Sequence, residues 1–120
     1  MKRLVFLLAM GLATTFLACK SGSNLGKDVD YTCKGDSPFW TAVIAKEGIV
    51  FTLLGGKEKT FPYAQAEESE GRIVYVTKKD DTWLRISLTK GNCFNSVAGK
   101  QYPYQAEVSL GDEVYLGCAE

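Results

Sequence analysis

The chain has 120 residues, with 14 basic and 14 acidic side chains and no histidine. Without an imidazole there is no Ser-His-Asp or Cys-His catalytic system, no histidine general base and no histidine-based metal site. The balanced charge provides neither a nucleic-acid footprint nor a polybasic membrane patch. The composition therefore predicts no cofactor, no metal site and no nucleic-acid partner.

The first residues have the arrangement of an export signal. Lys2 and Arg3 precede an apolar run from Leu4 to Leu17, which is well short of the ~20 residues that a membrane-spanning helix needs. A small residue, Ala18, then stands directly before Cys19. This order resembles the signal of bacterial lipoproteins, and the alternatives are an ordinary secretory signal or a buried helix.

The lipoprotein resemblance implies a definite chemistry for Cys19. Residues 1–18 would be a signal peptide, and Cys19 would become the lipidated first residue, with palmitate-like acyl chains holding the protein to a membrane. Lys20, rather than Asp, follows the cysteine. The resemblance therefore implies the outer membrane, with the rest of the chain in the periplasm.

A flexible tether and a single domain are expected after the signal. The stretch that follows Cys19, up to Lys27, is rich in Gly and Ser and has no hydrophobic period. Such a linker has a root-mean-square span under ~20 Å. We therefore assign residues 19–27 to the lipidated cysteine and its tether, and residues 28–120 to one domain.

The domain reads as a succession of short extended segments. We expect strands at Val29–Cys33, Trp40–Ala45, Ile49–Leu54, Thr60–Ala64, Ile73–Thr77, Thr82–Leu88, Gln105–Leu110 and Glu113–Cys118. About eight strands, with turns every ~8–12 residues and no helical stripe, predict an all-β fold. The expected architecture is a small antiparallel β-barrel or a flattened sandwich.

Alternation assigns faces to the later strands. Leu84, Ile86 and Leu88 share one face of their segment, and Trp83 lies on the other, polar face. A large ring on a polar face needs a cover or a partner. The connection from Gly91 to Pro103 resists the strand pattern, and we expect a long loop there.

The last segment places Val114, Leu116 and Cys118 on one side. We expect this to be the core side. Gly111-Asp112, before this segment, predicts a tight hairpin turn.

Three cysteines remain beyond Cys19, namely Cys33, Cys93 and Cys118. In an oxidising compartment two of them should pair. The chain-entropy model predicts that a Cys93–Cys118 bond would stabilise the fold by ~3.5 kcal/mol and a Cys33–Cys118 bond by ~4.6 kcal/mol. These two values are too close to choose between the pairings. The unpaired thiol has no histidine and no Cys-x-x-Cys motif beside it, which argues against redox or nucleophilic chemistry.

Carboxylates offer little more for catalysis or metal binding. Glu67, Glu68 and Glu70, and the pair Asp80-Asp81, lie in polar stretches that flank expected strands. They lack the ligand series of a calcium loop. We interpret them as solvated turn residues.

Several motifs together carry a family resemblance. They are Gly35-Asp-Ser-Pro-Phe-Trp40, Cys93, Tyr102-Pro-Tyr104 and Gly117-Cys-Ala119. This series is similar to a family of bacterial envelope proteins with a Gly-x-x-Pro-Phe-Trp motif near the start and Cys, Tyr-Pro and Gly-Cys near the end. The resemblance implies a Cys93–Cys118 disulfide and carries no function with it.

The aromatic residues of these motifs have two interpretations. Phe39 and Trp40, being successive strand residues, point to opposite faces, so one ring enters the core and the other stays near the surface. They could form an aromatic end-cap with Tyr102 and Tyr104 packed over it. The alternative is a groove for a peptide, a glycan strand or an apolar ligand, a surface made of Phe39, Trp40, Trp83, Tyr102 and Tyr104.

A second resemblance is to the membrane-bound inhibitors of c-type lysozyme, which are also small lipid-anchored barrels. Thr89-Lys90-Gly91 is similar to their later loop, and Ser69-Glu70-Gly71 stands near the place of their earlier one. The resemblance implies that Ser69 and Lys90 engage the two carboxylates that cleave the glycosidic bond.

The sequence thus predicts a non-enzymatic, lipid-anchored binding or structural module of the bacterial envelope. Its expected partners are the membrane, through the lipid, and an envelope protein or small ligand. Inhibition of c-type lysozyme is the alternative function. An enzyme that uses carboxylates or a thiol is a more distant one.

Overall fold

The computed structural model describes residues 28–120, which form nine β-strands. The signal peptide expected at 1–18, lipidation of Cys19 and the tether at 19–27 lie outside the described residues. The strands are β1 (Val29–Asp36), β2 (Phe39–Ala45), β3 (Gly48–Leu53), β4 (Glu58–Phe61), β5 (Glu67–Ser69), β6 (Arg72–Lys79), β7 (Thr82–Asn95), β8 (Lys100–Leu110) and β9 (Glu113–Ala119). No helix able to span a membrane occurs in this part of the chain.

All nine strands belong to one antiparallel sheet, in the order β4-β3-β2-β1-β9-β8-β7-β6-β5. The two edge strands, β4 and β5, are consecutive in the chain and are joined by residues 62–66. So short a link spans at most about 20 Å, so the sheet must curl until its edges approach each other. The edges do not pair. The fold is therefore all-β, as predicted, and takes the flattened form with an open seam.

Side chains fill the concave side of the curled sheet. Leu84, Ile86 and Leu88 are fully buried there, as the alternation of their segment predicts. Aromatic and aliphatic side chains from the other strands complete one core cluster. A filled interior argues against a ligand cavity inside the sheet, and a binding site must therefore be sought on the outside.

The final strand corrects one expectation. Val114 and Leu116 are exposed, whereas Tyr115 packs inward, with its ring 5.2 Å from that of Phe51. The reason is the register with β8, which places Tyr115 opposite the buried Val108. Tyr115 and Ala119 therefore face the core, and Cys118 lies on the opposite face, where it is buried at 2% exposed.

The expected loop from Gly91 to Pro103 is also wrong. A bulge interrupts the pairing of β7 with β8 between Lys90 and Cys93, and the ladder then continues to Asn95 and Lys100. Residues 96–99 form a tight turn, so the expected loop is an extension of the β7–β8 hairpin, here called the distal hairpin (residues 91–103). The short strand Glu67–Ser69 was likewise not expected.

Candidate functional site: an apolar groove beneath the distal hairpin

The distal hairpin folds back across the outside of the sheet. Cys93 is bonded to Cys118, with their Cα atoms 5.5 Å apart, and Cys118 lies on the outward face of β9. Further along, the Ser96 hydroxyl lies 3.5 Å from the Asp36 carboxylate at the end of β1. The disulfide implied by the family resemblance is thus confirmed, and it holds the hairpin against β9 and β1.

An apolar groove of about 300 Å³ lies between the hairpin tip and the outer surface of β1, β2 and β3. Phe39 and Leu54 line it from the sheet, and Val97 and Ala98 line it from the hairpin tip. Phe39, Leu54 and Val97 are all exposed to solvent. The groove therefore presents large apolar side chains to water in a concave setting, which is typical of a binding site.

A second, wider cavity of about 730 Å³ adjoins the groove. It shares Phe39, Leu54 and Asp36 with the groove and reaches Val114 on β9. The two cavities therefore form a continuous apolar surface. An extended ligand could run from one to the other.

Trp40 borders the groove from beneath, with its side chain on the core face of β2. Its side chain is 2% exposed, its ring stacks on Phe51 at a centroid distance of 5.9 Å, and its indole Nε1 donates a hydrogen bond to the Leu116 carbonyl at 3.2 Å. A Cβ at Gly35 would overlap the indole. Phe39 and Trp40 therefore point to opposite faces, as predicted, after a cis peptide bond between Ser37 and Pro38.

The other aromatic candidates lie elsewhere. Trp83 is 54% exposed and lines neither of the two cavities, and the Lys78 ammonium lies 5.1 Å from its ring centroid. Tyr102 is buried under Lys100. Tyr104 packs edge-on against Tyr31 at 5.4 Å. Of the five predicted surface residues, only Phe39 and Trp40 come together at the groove.

The two residues of the lysozyme hypothesis meet in one place. Ser69, in β5, and Lys90, in β7, both line a cavity of about 370 Å³ together with Arg72 and Tyr104. The backbone supports this arrangement, because the Lys90 amide donates a hydrogen bond to the Gly71 carbonyl at 2.9 Å. A hydroxyl, two cations and the carboxylates of Glu68 and Glu70 thus line one surface depression.

A polar cluster around Asp30 joins the two sides of the open seam. The Asp30 carboxylate accepts hydrogen bonds from the Lys46 ammonium at 2.7 Å, the Tyr63 hydroxyl at 2.7 Å and the Tyr75 hydroxyl at 2.9 Å. Nearby, the Thr77 hydroxyl donates to the Pro62 carbonyl at 2.7 Å. These bonds replace the missing ladder. Sequence reasoning missed Asp30, since its partners are 16, 33 and 45 residues away.

The environment of Asp30 favours its ionised form. Partial burial by itself raises the pKa of Asp30, but the three hydrogen bonds and the charge of Lys46 outweigh this and lower its pKa below the ordinary value. The reciprocal effect appears at Tyr75, whose pKa is raised by burial and by its hydrogen bond to Asp30. The cluster is therefore a structural lock that requires a charged carboxylate.

Replacing Asp30 with asparagine is expected to lower the free energy of unfolding at pH 7 by about 1.5–3 kcal/mol, the contribution of hydrogen bonds to a charged group. Because the folded-state pKa of Asp30 is lowered, its contribution is complete above the unfolded pKa of about 3.9 and is lost as the pH falls through the folded value. Urea unfolding at several pH values should show the difference between wild type and Asp30→Asn shrinking below about pH 4. A difference independent of pH would contradict the lock.

Cys33 is the unpaired thiol among residues 28–120. It is fully buried in the core, opposite Ala119 of β9, and burial raises its pKa to about 12. The thiolate, which is the nucleophile, is therefore scarce, and no reagent can reach it in the folded state. Such a thiol serves as a small core side chain.

We expect iodoacetamide at pH 8 to leave Cys33 unmodified in the folded protein, because only about one thiol in 10⁴ would be ionised even if it were accessible. Mass spectrometry of a lipid-free variant, Cys19→Ser, gives the measurement. The same protein unfolded in guanidinium without a reductant should take up one label, which is the control. Rapid labelling in the folded state would support a function that uses the reactivity of the Cys33 thiol.

The acidic residues give no metal site in the described part of the chain. No group of three His, Cys, Asp or Glu side chains within residues 28–120 could hold a metal ion. Glu67, Glu68 and Glu70 are exposed, as are Asp80 and Asp81. Glu70, Asp80 and Asp81 lie in turns, as the sequence predicts, whereas Glu67 and Glu68 lie in β5 and correct that expectation.

Comparison of the chain with protein-family models, with curated proteins and with solved structures finds no match. The geometry of the groove and the sequence motifs therefore carry the functional argument.

Proposed function

We propose that this chain is a lipid-anchored, non-enzymatic binding module of the bacterial envelope. The observation that supports it best is the apolar groove, where Phe39, Leu54 and Val97 are exposed beside one another. Exposed apolar side chains in a concave site mark interaction surfaces, because burying them against a partner is favourable. In this proposal the lipid on Cys19 holds the groove near the outer membrane, on its periplasmic side.

The disulfide supports an envelope location. Disulfides persist in oxidising compartments such as the bacterial periplasm and are rare in the cytosol. Here the Cys93–Cys118 bond holds in place the hairpin that forms one wall of the groove. The signal peptide expected at residues 1–18 agrees with the same compartment.

The chemistry of the remaining side chains supports binding rather than catalysis. The chain has no histidine, its unpaired thiol at Cys33 is buried with a raised pKa, and Glu67, Glu68 and Glu70 are solvated. Among residues 28–120, no activated nucleophile is therefore at hand for covalent catalysis.

Site-specific crosslinking in living cells tests the binding proposal. A photoreactive phenylalanine analogue placed at Leu54 in the groove should capture a discrete envelope component. The control is the same analogue at Val76, an exposed apolar residue on β6 that does not line the groove. Identical products from the two positions, or none from Leu54, would count against a groove-binding function.

Inhibition of c-type lysozyme is the second candidate, and the shared cavity of Ser69 and Lys90 favours it. In this proposal, the Lys90 ammonium and the Ser69 hydroxyl would engage the acid and the nucleophile carboxylates of the enzyme. The cleft would then be blocked by charge and by volume.

The lipid-free variant Cys19→Ser provides the test for inhibition. If the candidate is right, it protects cell walls from a c-type lysozyme at nanomolar to micromolar concentrations, and Lys90→Ala loses most of that protection. Lys78→Ala, an exposed lysine on another surface, is the matched control. If the Cys19→Ser protein with Lys90 intact gives cell walls no protection at tens of micromolar, the candidate is removed.

A further inference from the structure

The side chain of Asn95 has a free hydrogen-bond donor at the groove. Asn95 lines the groove although it is only 5% exposed. Its Oδ1 accepts hydrogen bonds from the backbone amides of Val97 at 3.0 Å and Ala98 at 2.9 Å. Because both neighbours are donors, they fix which end of the side-chain amide is the oxygen. The Nδ2 donor is therefore the free end of this amide.

Among residues 28–120, the Asn95 side chain accepts these two hydrogen bonds at Oδ1 and donates none from Nδ2. A buried donor without a partner is unfavourable, and such groups are normally satisfied by protein, water or ligand. The groove that Asn95 lines is the place where an acceptor can approach. A ligand that fits this site should therefore carry an oxygen acceptor.

The other lining residues of the groove favour a ligand with an apolar group next to that acceptor. Phe39, Leu54 and Val97 surround the space, and Phe39 and Leu54 continue into the adjoining cavity. One cation, Lys34, and one anion, Asp36, also belong to the lining. With both signs of charge present, the site favours a neutral group over an ion.

We infer that the groove receives an extended peptide segment of a partner protein, which inserts an apolar side chain and offers the neighbouring backbone carbonyl to Asn95 Nδ2. This inference rests on the proposed binding function and names its ligand class. An alkyl chain would fill the apolar space but leave the Asn95 donor unpaired. A glycan would supply acceptors but cover Phe39, Leu54 and Val97 with hydroxyl-rich surface.

Two matched probes test the inference on the unmodified groove. N-acetyl-L-tryptophanamide and 3-ethylindole carry the same ring, but only the first has backbone carbonyls. Titrated into ¹⁵N-labelled lipid-free Cys19→Ser protein, both should shift the amide resonances of Leu54, Val97 and Ala98. We expect the amide probe to bind about tenfold more tightly, the effect of one satisfied buried hydrogen bond.

A near-isosteric variant assigns that difference to Asn95. Asn95→Asp keeps an acceptor for Val97 and Ala98 and replaces the Nδ2 donor with a second acceptor. It should weaken the amide probe about tenfold and leave 3-ethylindole within about twofold. Val97→Ser is the control for the apolar wall and should weaken both probes. Thermal unfolding checks that each variant is folded, and the two-probe comparison does not depend on any variant.

The possible outcomes distinguish a failure of the peptide inference from a failure of the proposed binding function. Equal affinities of the two probes for the unmodified groove would overturn the peptide inference while leaving apolar binding in place. Tighter binding of tri-N-acetylchitotriose than of the amide probe would overturn it in favour of a glycan. Failure of every probe to shift the groove resonances would count against the proposed function itself.

Discussion

Replacing Trp40 with alanine is expected to lower the free energy of unfolding by about 3–5 kcal/mol, the cost of removing a large buried aromatic side chain. Trp40 is 2% exposed and stacks on Phe51. It also contacts Tyr115, and its indole is hydrogen-bonded to the Leu116 carbonyl. The substitution would therefore open a cavity and leave a carbonyl of β9 without its donor.

The second tryptophan of the chain is a matched control. Trp83 is 54% exposed, and its clearest partner is the Lys78 ammonium over its ring. An exposed cation–π contact contributes only about 0.5–1 kcal/mol, and about half of the ring already contacts solvent, so Trp83→Ala should cost clearly less than Trp40→Ala. Urea unfolding followed by far-ultraviolet circular dichroism measures both variants. Equal losses in the free energy of unfolding would contradict the central place in the core that the burial of Trp40 indicates.

The parts of the fold that were predictable are those with one apolar and one polar face. Leu84, Ile86 and Leu88 alternate with polar residues, so their period identifies both the strand and its buried side. The Phe39-Trp40 step was predictable for the same reason, since neighbouring strand residues must point to opposite faces. Local geometry suffices in both cases.

The final strand shows where a period is not enough. Val114 and Leu116 alternate with Tyr115, so both faces of β9 carry apolar side chains. Which face is buried depends on the register with β8, a contact that the strand itself does not encode. The prediction of a loop in place of the distal hairpin was wrong for a similar reason. Gly91 and Pro103 are residue types typical of loops, and the sequence does not show that the strands continue past them. In the fold, a bulge absorbs the irregularity and the ladder continues.

The groove could not be predicted because it joins residues from both ends of the domain. Phe39 and Leu54 precede Val97 by more than 40 positions, and only the folding back of the distal hairpin brings them together. The motifs did contain the parts of this arrangement. Cys93 lies in the hairpin, Cys118 is its point of attachment, and the Pro-Phe-Trp element borders the groove, but their contact is tertiary.

Removing the disulfide is expected to lower both the free energy of unfolding and the affinity of the groove. In the variant Cys93→Ser with Cys118→Ser, the chain-entropy model predicts a loss of about 3.5 kcal/mol for a bond that spans 25 residues. The distal hairpin then keeps only its weaker contacts with the sheet, such as that between Ser96 and Asp36. One wall of the groove, including Asn95 and Val97, should become mobile.

Binding should fall further than global stability alone explains, because ordering the hairpin would have to be paid for at each binding event. At a temperature where the variant is still folded, N-acetyl-L-tryptophanamide should no longer shift the resonances of Leu54. Reduction of the parent Cys19→Ser protein should reproduce this loss, and the same reductant should leave the double variant unchanged. Retained affinity in a folded variant without the disulfide would show that the groove does not depend on the attached hairpin, and the site would then have to be built from the sheet alone.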